Sequence, residues 1–399
     1  SGTLSSTSQT ASPAAVTFTP TTNGTVVLTL TTNDPDGAGP CTAATSTRTI
    51  TVNQAPTVSA GGPDVVCQSS TPFTLSGATI GGGASTGAWS ITSGSGTLST
   101  TGQTASPGTV TFTPTANGTV ILTLTTNDPD GVGPCSAVSA TRTITVNQAA
   151  VANAGGPETV CQSSTPYALS GASISGGAST GAWSITSGTG TLSSTSQTAN
   201  PALVTFTPNT NGTVVLTLTT NDPDGAGPCS ATTSTRTITV NQAPTVIAGG
   251  PDVVCQSSSP FALTGANIGG GASTGAWSIA SGTGTLSSTS QTANPAAVTF
   301  TPTTNGTVIL TLTTNDPDGV GPCSAVSATR TITVNQAAIV NAGNPQTVCE
   351  GGTITLAGSI GGSTTSTTWS APSGIFGDVT SLSSTYTPSI SSGTVTLTL

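Results

Sequence analysis

The sequence predicts an all-β protein, a linear array of immunoglobulin-like β-sandwich domains with about 94 residues per repeat. Three observations carry that expectation. Two cysteine series, Cys41, Cys135, Cys229, Cys323 and Cys67, Cys161, Cys255, Cys349, each advance by 94 residues. Trp89, Trp183 and Trp277 keep the same step, as do Phe18, Phe112, Phe206 and Phe300 and the four arginines Arg48, Arg142, Arg236 and Arg330. Between these markers apolar residues alternate with Thr and Ser, and no stretch carries a helical period. A fixed step of this kind is the mark of tandem repeats, and its length is ordinary for one small β domain.

The period divides the chain into a partial repeat over 1–53, full repeats over 54–147, 148–241 and 242–335, and a partial, divergent repeat over 336–399. Ser1 aligns with Ser95, so the first repeat lacks its opening part and its Trp. Leu399 aligns with Leu312, so the last lacks its closing strand and second cysteine. Neither fragment is expected to hold a full sandwich core. A window on a longer chain is the simplest expectation, and completion by a neighbouring chain's strand is the alternative. The last repeat also diverges in spacing, since Trp369 follows Cys349 two positions sooner than Trp277 follows Cys255. Repeats ending at Val52 and Val240 carry Gly-Ala-Gly-Pro-Cys, and those ending at Val146 and Val334 carry Gly-Val-Gly-Pro-Cys. That alternation points to duplication of a two-repeat block, with an alternating surface contact as a second reading.

Within 54–147 the strands follow from composition. Val58 to Val66 reads as two short extended pieces broken by Gly61-Gly62-Pro63, and Phe73-Thr74-Leu75 as the next strand. Gly81-Gly82-Gly83 reads as a flexible connection, followed by a strand at Ala88-Trp89-Ser90-Ile91. Val110 to Thr113 is a further strand, stopped by Pro114, and Asn117-Gly118 predicts a hairpin turn before Val120 to Leu124. Thr141 to Val146 closes the repeat with clean alternation. Thr and Val dominate, and both are stiff, β-favouring residues. About seven short strands around one Trp read as a sandwich. Trp89, Trp183, Trp277 and Trp369 are therefore expected in the cores, with Phe112 beside Trp89.

Composition excludes several functions. There is no Lys or His, and the formal net charge is −9, so the clustered cations that bind nucleic acid or anionic lipid are missing. No apolar run reaches the ~18–20 residues of a membrane span. Without His or Lys the usual general bases and activated nucleophiles are absent, so no catalytic residue is expected. A carboxylate pair could serve a glycosidase, but a site copied into every repeat is a poor candidate.

Two repeated features could still carry chemistry. Asn33-Asp34-Pro35-Asp36-Gly37 recurs, placing Asp34 with Asp36, Asp128 with Asp130, Asp222 with Asp224, and Asp316 with Asp318. Such pairs could supply oxygen ligands to Ca²⁺, joined by Asp64, Glu158 or Asp252 at a junction. The same residues suit a type I turn, and an EF-hand's bidentate Glu is absent, so the turn is the leading reading. Asn23, Asn117, Asn211 and Asn305 begin Asn-Gly-Thr, a glycosylation sequon that reads better as a turn. The single Arg of each repeat is expected on a solvated strand face near a carboxylate, in an exposed pair contributing ~0–1 kcal/mol.

Gly87-Ala88-Trp89-Ser90, Val120-Ile121-Leu122-Thr123-Leu124-Thr125 and Ala140-Thr141-Arg142-Thr143-Ile144-Thr145-Val146 resemble the PKD family of immunoglobulin-like domains. The form with Val66-Cys67-Gln68 early and Gly133-Pro134-Cys135-Ser136 late resembles repeats of very large Bacteroidetes cell-surface adhesins, nearest to the SprB-type gliding-motility adhesins. The glycine- and aspartate-rich turn usual after the PKD Trp strand is replaced here by Thr92-Ser93-Gly94-Ser95-Gly96. The resemblance covers the whole chain. It implies an extracellular, cell-surface shaft for adhesion and gliding, not an enzyme. Its partners would be neighbouring repeats, with a surface polysaccharide or other substratum met through regions outside this sequence. The alternatives are spacer modules of a secreted hydrolase and a self-assembling extracellular filament.

Paired cysteines fit an oxidising compartment, and three pairings respect the period. Cys41 with Cys67 is one. Pairing within a repeat (Cys67 with Cys135, Cys161 with Cys229, Cys255 with Cys323) is the second. Pairing across repeats (Cys67 with Cys229, Cys161 with Cys323) is the third and slightly preferred. In an immunoglobulin-like order Cys67 ends near the C-terminal pole, and Cys135 begins the last strand at the other. A strand of ~8 residues separates the poles by about 27 Å, whereas a disulfide needs Cα atoms within ~4.4–6.8 Å. A kink at Gly61-Gly62-Pro63 would favour the pairing within a repeat, and all three stay open. No CxxC motif points to redox catalysis.

Overall fold

A computed structural model describes residues 1–399. In the repeat 54–147 the strands are β1 (Pro56–Ser59), β2 (Asp64–Cys67), β3 (Phe73–Thr74), β4 (Thr79–Gly82), β5 (Gly87–Ser93), β6 (Gly96–Leu98), β7 (Thr111–Pro114), β8 (Gly118–Thr126) and β9 (Ser139–Asn147). One sheet has the order β2-β9-β8-β5; facing it are β6-β7-β3 and the pair β1-β4. All pairings are antiparallel except β2 with β9, which run parallel, with Asp64 level with Ile144 and Cys67 with Asn147. The repeats 148–241 and 242–335 reproduce the four-stranded order, with Glu158–Cys161 beside Thr233–Asn241 and Asp252–Cys255 beside Ser327–Asn335.

Period-two alternation builds the core. Along β8, Val120, Leu122 and Leu124 are buried, while Ile121, Thr123 and Thr125 face outward and are partly covered. Along β9, Arg142, Ile144 and Val146 point inward and Thr141, Thr143 and Thr145 outward. Leu75, Phe112 and Val110 close the interior from the other layer, and Trp89, on β5 of the same sheet as β8 and β9, joins them in the core. Trp89 is 1 % exposed and donates its indole N–H to the Pro107 carbonyl at 3.0 Å, which satisfies its one polar atom. Trp183 and Trp277 do the same with Pro201 and Pro295.

Two local readings are corrected. Asn117-Gly118 does not turn a hairpin: β7 belongs to the three-stranded sheet and β8 to the four-stranded one, so the turn carries the chain across the sandwich. Two runs with the same alternation look like hairpin partners in sequence, although each pairs elsewhere. The Gly81-Gly82-Gly83 stretch is not simply a flexible connection either. Thr79–Gly82 is strand β4, paired with β1 in the register Val58 to Ile80.

The chain ends are lighter. No residue of 1–53 is buried, where Gly24–Thr31 pairs with Thr45–Val52. In 336–399 the core reduces to Leu356, Trp369 and Tyr386. No helix is long and apolar enough to cross a membrane.

Candidate functional site

Two clusters recur: one inside each sandwich and one where consecutive repeats meet. The interior cluster begins with the break between β1 and β2. Gly61 and Gly62 adopt φ values of 67° and 76°, which favour glycine, and a Cβ on Gly62 would lie 2.8 Å from Arg142 Cγ. The bend leads the chain from β1, beside β4, to β2, beside β9. Arg142 is only 2 % exposed. Its Nε donates to Asp64 Oδ2 at 2.6 Å, and Nη1 donates to the carbonyls of Ala60 at 3.2 Å and Ser76 at 2.8 Å. The guanidinium lies 5.6 Å from the Phe73 ring centroid, within cation–π range.

The reading of Arg142 as a solvated strand residue is therefore corrected. The alternation Thr-Arg-Thr puts Arg142 on the inward face, and its planar fork ties the bend, β2 and the β3–β4 link together. Arg330 repeats the arrangement with Asp252, Ala248, Thr264 and Phe261. In 148–241, Glu158 replaces Asp and Tyr167 replaces Phe. There Arg236 uses Nη2 for Glu158 and, at 3.1 Å, for the Tyr167 hydroxyl. Its Nε is left without a partner. Burial and the Glu158 carboxylate push the Tyr167 hydroxyl pKa up. Asp64, Glu158 and Asp252 are thus engaged by arginines and do not join the aspartate loops.

The aspartate loops lie at the joints. Asp222 Oδ1 accepts the Asp224 N–H at 3.3 Å, as a turn-forming Asp does. Asn221 Oδ1 accepts the N–H groups of Ser179 and Thr180 at 2.9 and 2.8 Å, fastening the loop to its own repeat. Asp224 Oδ2 accepts the Cys229 N–H at 3.1 Å and, from the preceding repeat, the Asn147 side-chain amide at 2.8 Å. The Asn147 amide, opposed by desolvation and aided by the Cys229 N–H, holds the Asp224 carboxyl below the usual range. Asn53 with Asp130 at 2.7 Å and Asn241 with Asp318 at 2.8 Å are the same contact at the other joints. Asp128 and Asp316 fold their turns in the same way. In the first repeat Asp34 and Asp36 keep the turn and the Cys41 contact. No group of three or more His, Cys, Asp or Glu side chains gathers around a common point. The Oδ1 atoms of Asp130, Asp224 and Asp318 are buried without a hydrogen-bond partner.

Beside each of two clamps lies a disulfide. Cys67 is bonded to Cys229 and Cys161 to Cys323, each across 162 residues with Cα atoms 4.9 Å apart. The reason is the parallel β2–β9 pair, which brings Cys67 to the pole where Asn147 leaves β9. The next repeat presents Cys229 there from the loop preceding Thr233–Asn241. Cys135 precedes β9 by four residues and does not begin it, so it lies at the opposite pole. Nine residues of β9 set the poles about 30 Å apart. The structure accordingly forms neither the bridges within a repeat nor Cys41 with Cys67. Cys229 and Cys323 are 1 % and 0 % exposed. Cys41, Cys135, Cys255 and Cys349 are unpaired in this chain. Burial, with Asp130 adding in the same direction, pushes the Cys135 thiol pKa up, the reverse of a reactive cysteine. Sequence reasoning missed Asn53, Asn147 and Asn241. Their recurrence at the 94-residue step was the available signal.

No family model matches the chain, and no curated protein matches it. Among solved structures it is similar to three consecutive domains of human CDH23, at 12 % identity over 70 % of this chain and 100 % of that one, with a TM-score of 0.35. A three-domain immunoglobulin fragment of titin is 13 % identical over 71 % and 100 %, with a TM-score of 0.36. Four N-cadherin domains from Drosophila are 13 % identical over 78 % and 83 %, with a TM-score of 0.29. Scores this low carry no argument about function, and the sandwich class rests on the strand pairing described above.

Proposed function

We propose that this chain is a segment of the shaft of a large secreted cell-surface adhesin serving surface adhesion and gliding motility. One observation carries the reading. Each bridged joint between repeats holds two covalent connections, the backbone linker and a buried disulfide, beside an Asn–Asp clamp. A binding or catalytic module needs an exposed, chemically distinct site, whereas here the recurring chemistry of the repeats is spent on holding them end to end. The resemblance to adhesin repeats and the use of disulfides support an extracellular place. Such a shaft would extend a binding tip, or many weak sites sharing avidity, toward a polysaccharide or other substratum. Immuno-electron microscopy of producing cells, with an antibody to one repeat, tests this. Label in rows along surface filaments is expected. Label confined to culture fluid and co-fractionating with hydrolase activity would move the chain to the spacer reading.

Calcium is a second reading for the aspartate loops, and the partnerless Oδ1 atoms favour it. We propose the hydrogen-bonded joint ahead of it, because Oδ2 of each pair's second aspartate is already occupied at three joints. Thermal melts with and without EDTA decide between them: an unchanged Tm is expected, and a fall of several degrees on chelation would assign the loops to Ca²⁺.

A further inference from the structure

We infer that the interlocked disulfides make the array a tether of limited extensibility, in which unfolding adds far less length than the number of residues would allow. The inference uses the shaft reading only for its purpose, since the network itself follows from connectivity. Cys67 joined to Cys229 is one node and Cys161 joined to Cys323 is another. Three backbone stretches connect the two nodes: Cys67 to Cys161, Cys229 to Cys323, and Cys161 to Cys229. The first two each span one full repeat period, and the third is shorter. When the ends are pulled, the shortest stretch becomes taut first, and the two longer ones hang slack beside it.

The consequence for length is large. Residues 1–66 and 324–399 lie outside the nodes. Together with the stretch from Cys161 to Cys229, they give a pulled path of about 210 residues, ~760 Å at ~3.6 Å each. Without bridges the whole chain would extend to ~1,440 Å at the same spacing. The bridges hide both slack stretches, which together amount to one two-repeat block.

The network is also redundant. Removing the Cys161–Cys323 bridge leaves Cys67–Cys229, and the path then runs from Cys229 directly to the C-terminus. That releases only about 26 residues, about 94 Å. Losing either bridge alone changes little, and losing both releases everything. Where repeats are bridged throughout by the same rule, alternate joints are linked directly by short stretches such as Cys229 to Cys255. Extended, such a stretch reaches about 94 Å, against roughly 60–80 Å for two folded repeats with strands of about ten residues. A body could then unfold with almost no gain in length, and a shaft built this way would transmit a pull instead of absorbing it.

Single-molecule pulling of the full chain by its termini tests this, with the four unbridged thiols alkylated. The oxidised chain should reach a contour of about 760 Å and gain about 680 Å under dithiothreitol. Cys161→Ser or Cys67→Ser alone should add about 94 Å, and the double substitution the full gain of about 680 Å. Gains of about 245 Å for each bridge removed, the length of the loop from Cys67 to Cys135, would mean pairing within repeats and overturn the inference. An oxidised contour of about 1,440 Å would overturn it as well. Neither result bears on where the protein resides, which the labelling experiment addresses.

Discussion

Asn147, the last residue of one repeat's closing strand, donates its side-chain amide to Asp224 of the next repeat at 2.8 Å. The contact spans a joint that the Cys67–Cys229 bridge also spans. The disulfide supplies permanence at this joint, and the hydrogen bond supplies direction, since Asp224 also positions the loop that carries Cys229.

The clamp is sensitive to acid. Asp130, Asp224 and Asp318 are held below the usual carboxylate range, chiefly by the amides of Asn53, Asn147 and Asn241. A group whose folded pKa is lowered stabilises the folded state fully above its unfolded value, near ~3.9, and loses that contribution as pH falls through the folded value. The joints should therefore loosen below pH ~4 while the disulfides keep the chain connected. Small-angle X-ray scattering from pH 6 to pH 2 should show a change in interdomain spacing over that window. A chain carrying Asn53→Ala, Asn147→Ala and Asn241→Ala should show little of it.

Removing Arg142 should be costly. Asp64 is 21 % exposed at its side chain and would be left without its cation, together with two unpaired carbonyls. Breaking a buried pair from one side costs about 3–5 kcal/mol. Arg142→Met is expected near the lower end of that range, measured as loss of amide-exchange protection across 54–147 in urea. Arg236→Met should cost less, because Glu158 is 39 % exposed and keeps more of its water.

The repeats themselves propose a coupling experiment. Glu158 and Tyr167 occur together where the neighbouring repeats have Asp with Phe. The longer carboxylate moves the contact from Nε to Nη2, and the tyrosine hydroxyl joins it there. Asp64→Glu alone should destabilise its repeat, and Phe73→Tyr added to it should recover part of the loss. A coupling of about 0.5–3 kcal/mol is expected from the double-mutant cycle. Strict additivity would mean that the two positions act independently.

Trp89 combines a packing role with a hydrogen bond. Trp89→Ala should cost about 3–5 kcal/mol through the cavity. Trp89→Phe should retain much of the packing but lose the indole bond to the Pro107 carbonyl, which keeps the Val110 N–H at 3.3 Å, at about 0.5–1.5 kcal/mol. A negligible loss for Trp89→Phe, in the same exchange measurement, would deny the indole N–H any separate part.

The sequence by itself determined the 94-residue period, the all-β class and most strands of each sandwich. These rest on local patterns: alternation at period two, Thr- and Val-rich runs, and landmarks too rare to repeat by chance. Tertiary structure alone decided which sheet each strand entered, so Asn117-Gly118 became a crossing between layers and Thr79–Gly82 a strand. It alone put Arg142 inside, because an inward position and a polar residue conflict in sequence until Asp64, Ala60 and Ser76 are seen converging on it. It alone chose among three cysteine pairings. All three respect the same period, and only the parallel register of β2 on β9 says which pole each sulfur occupies.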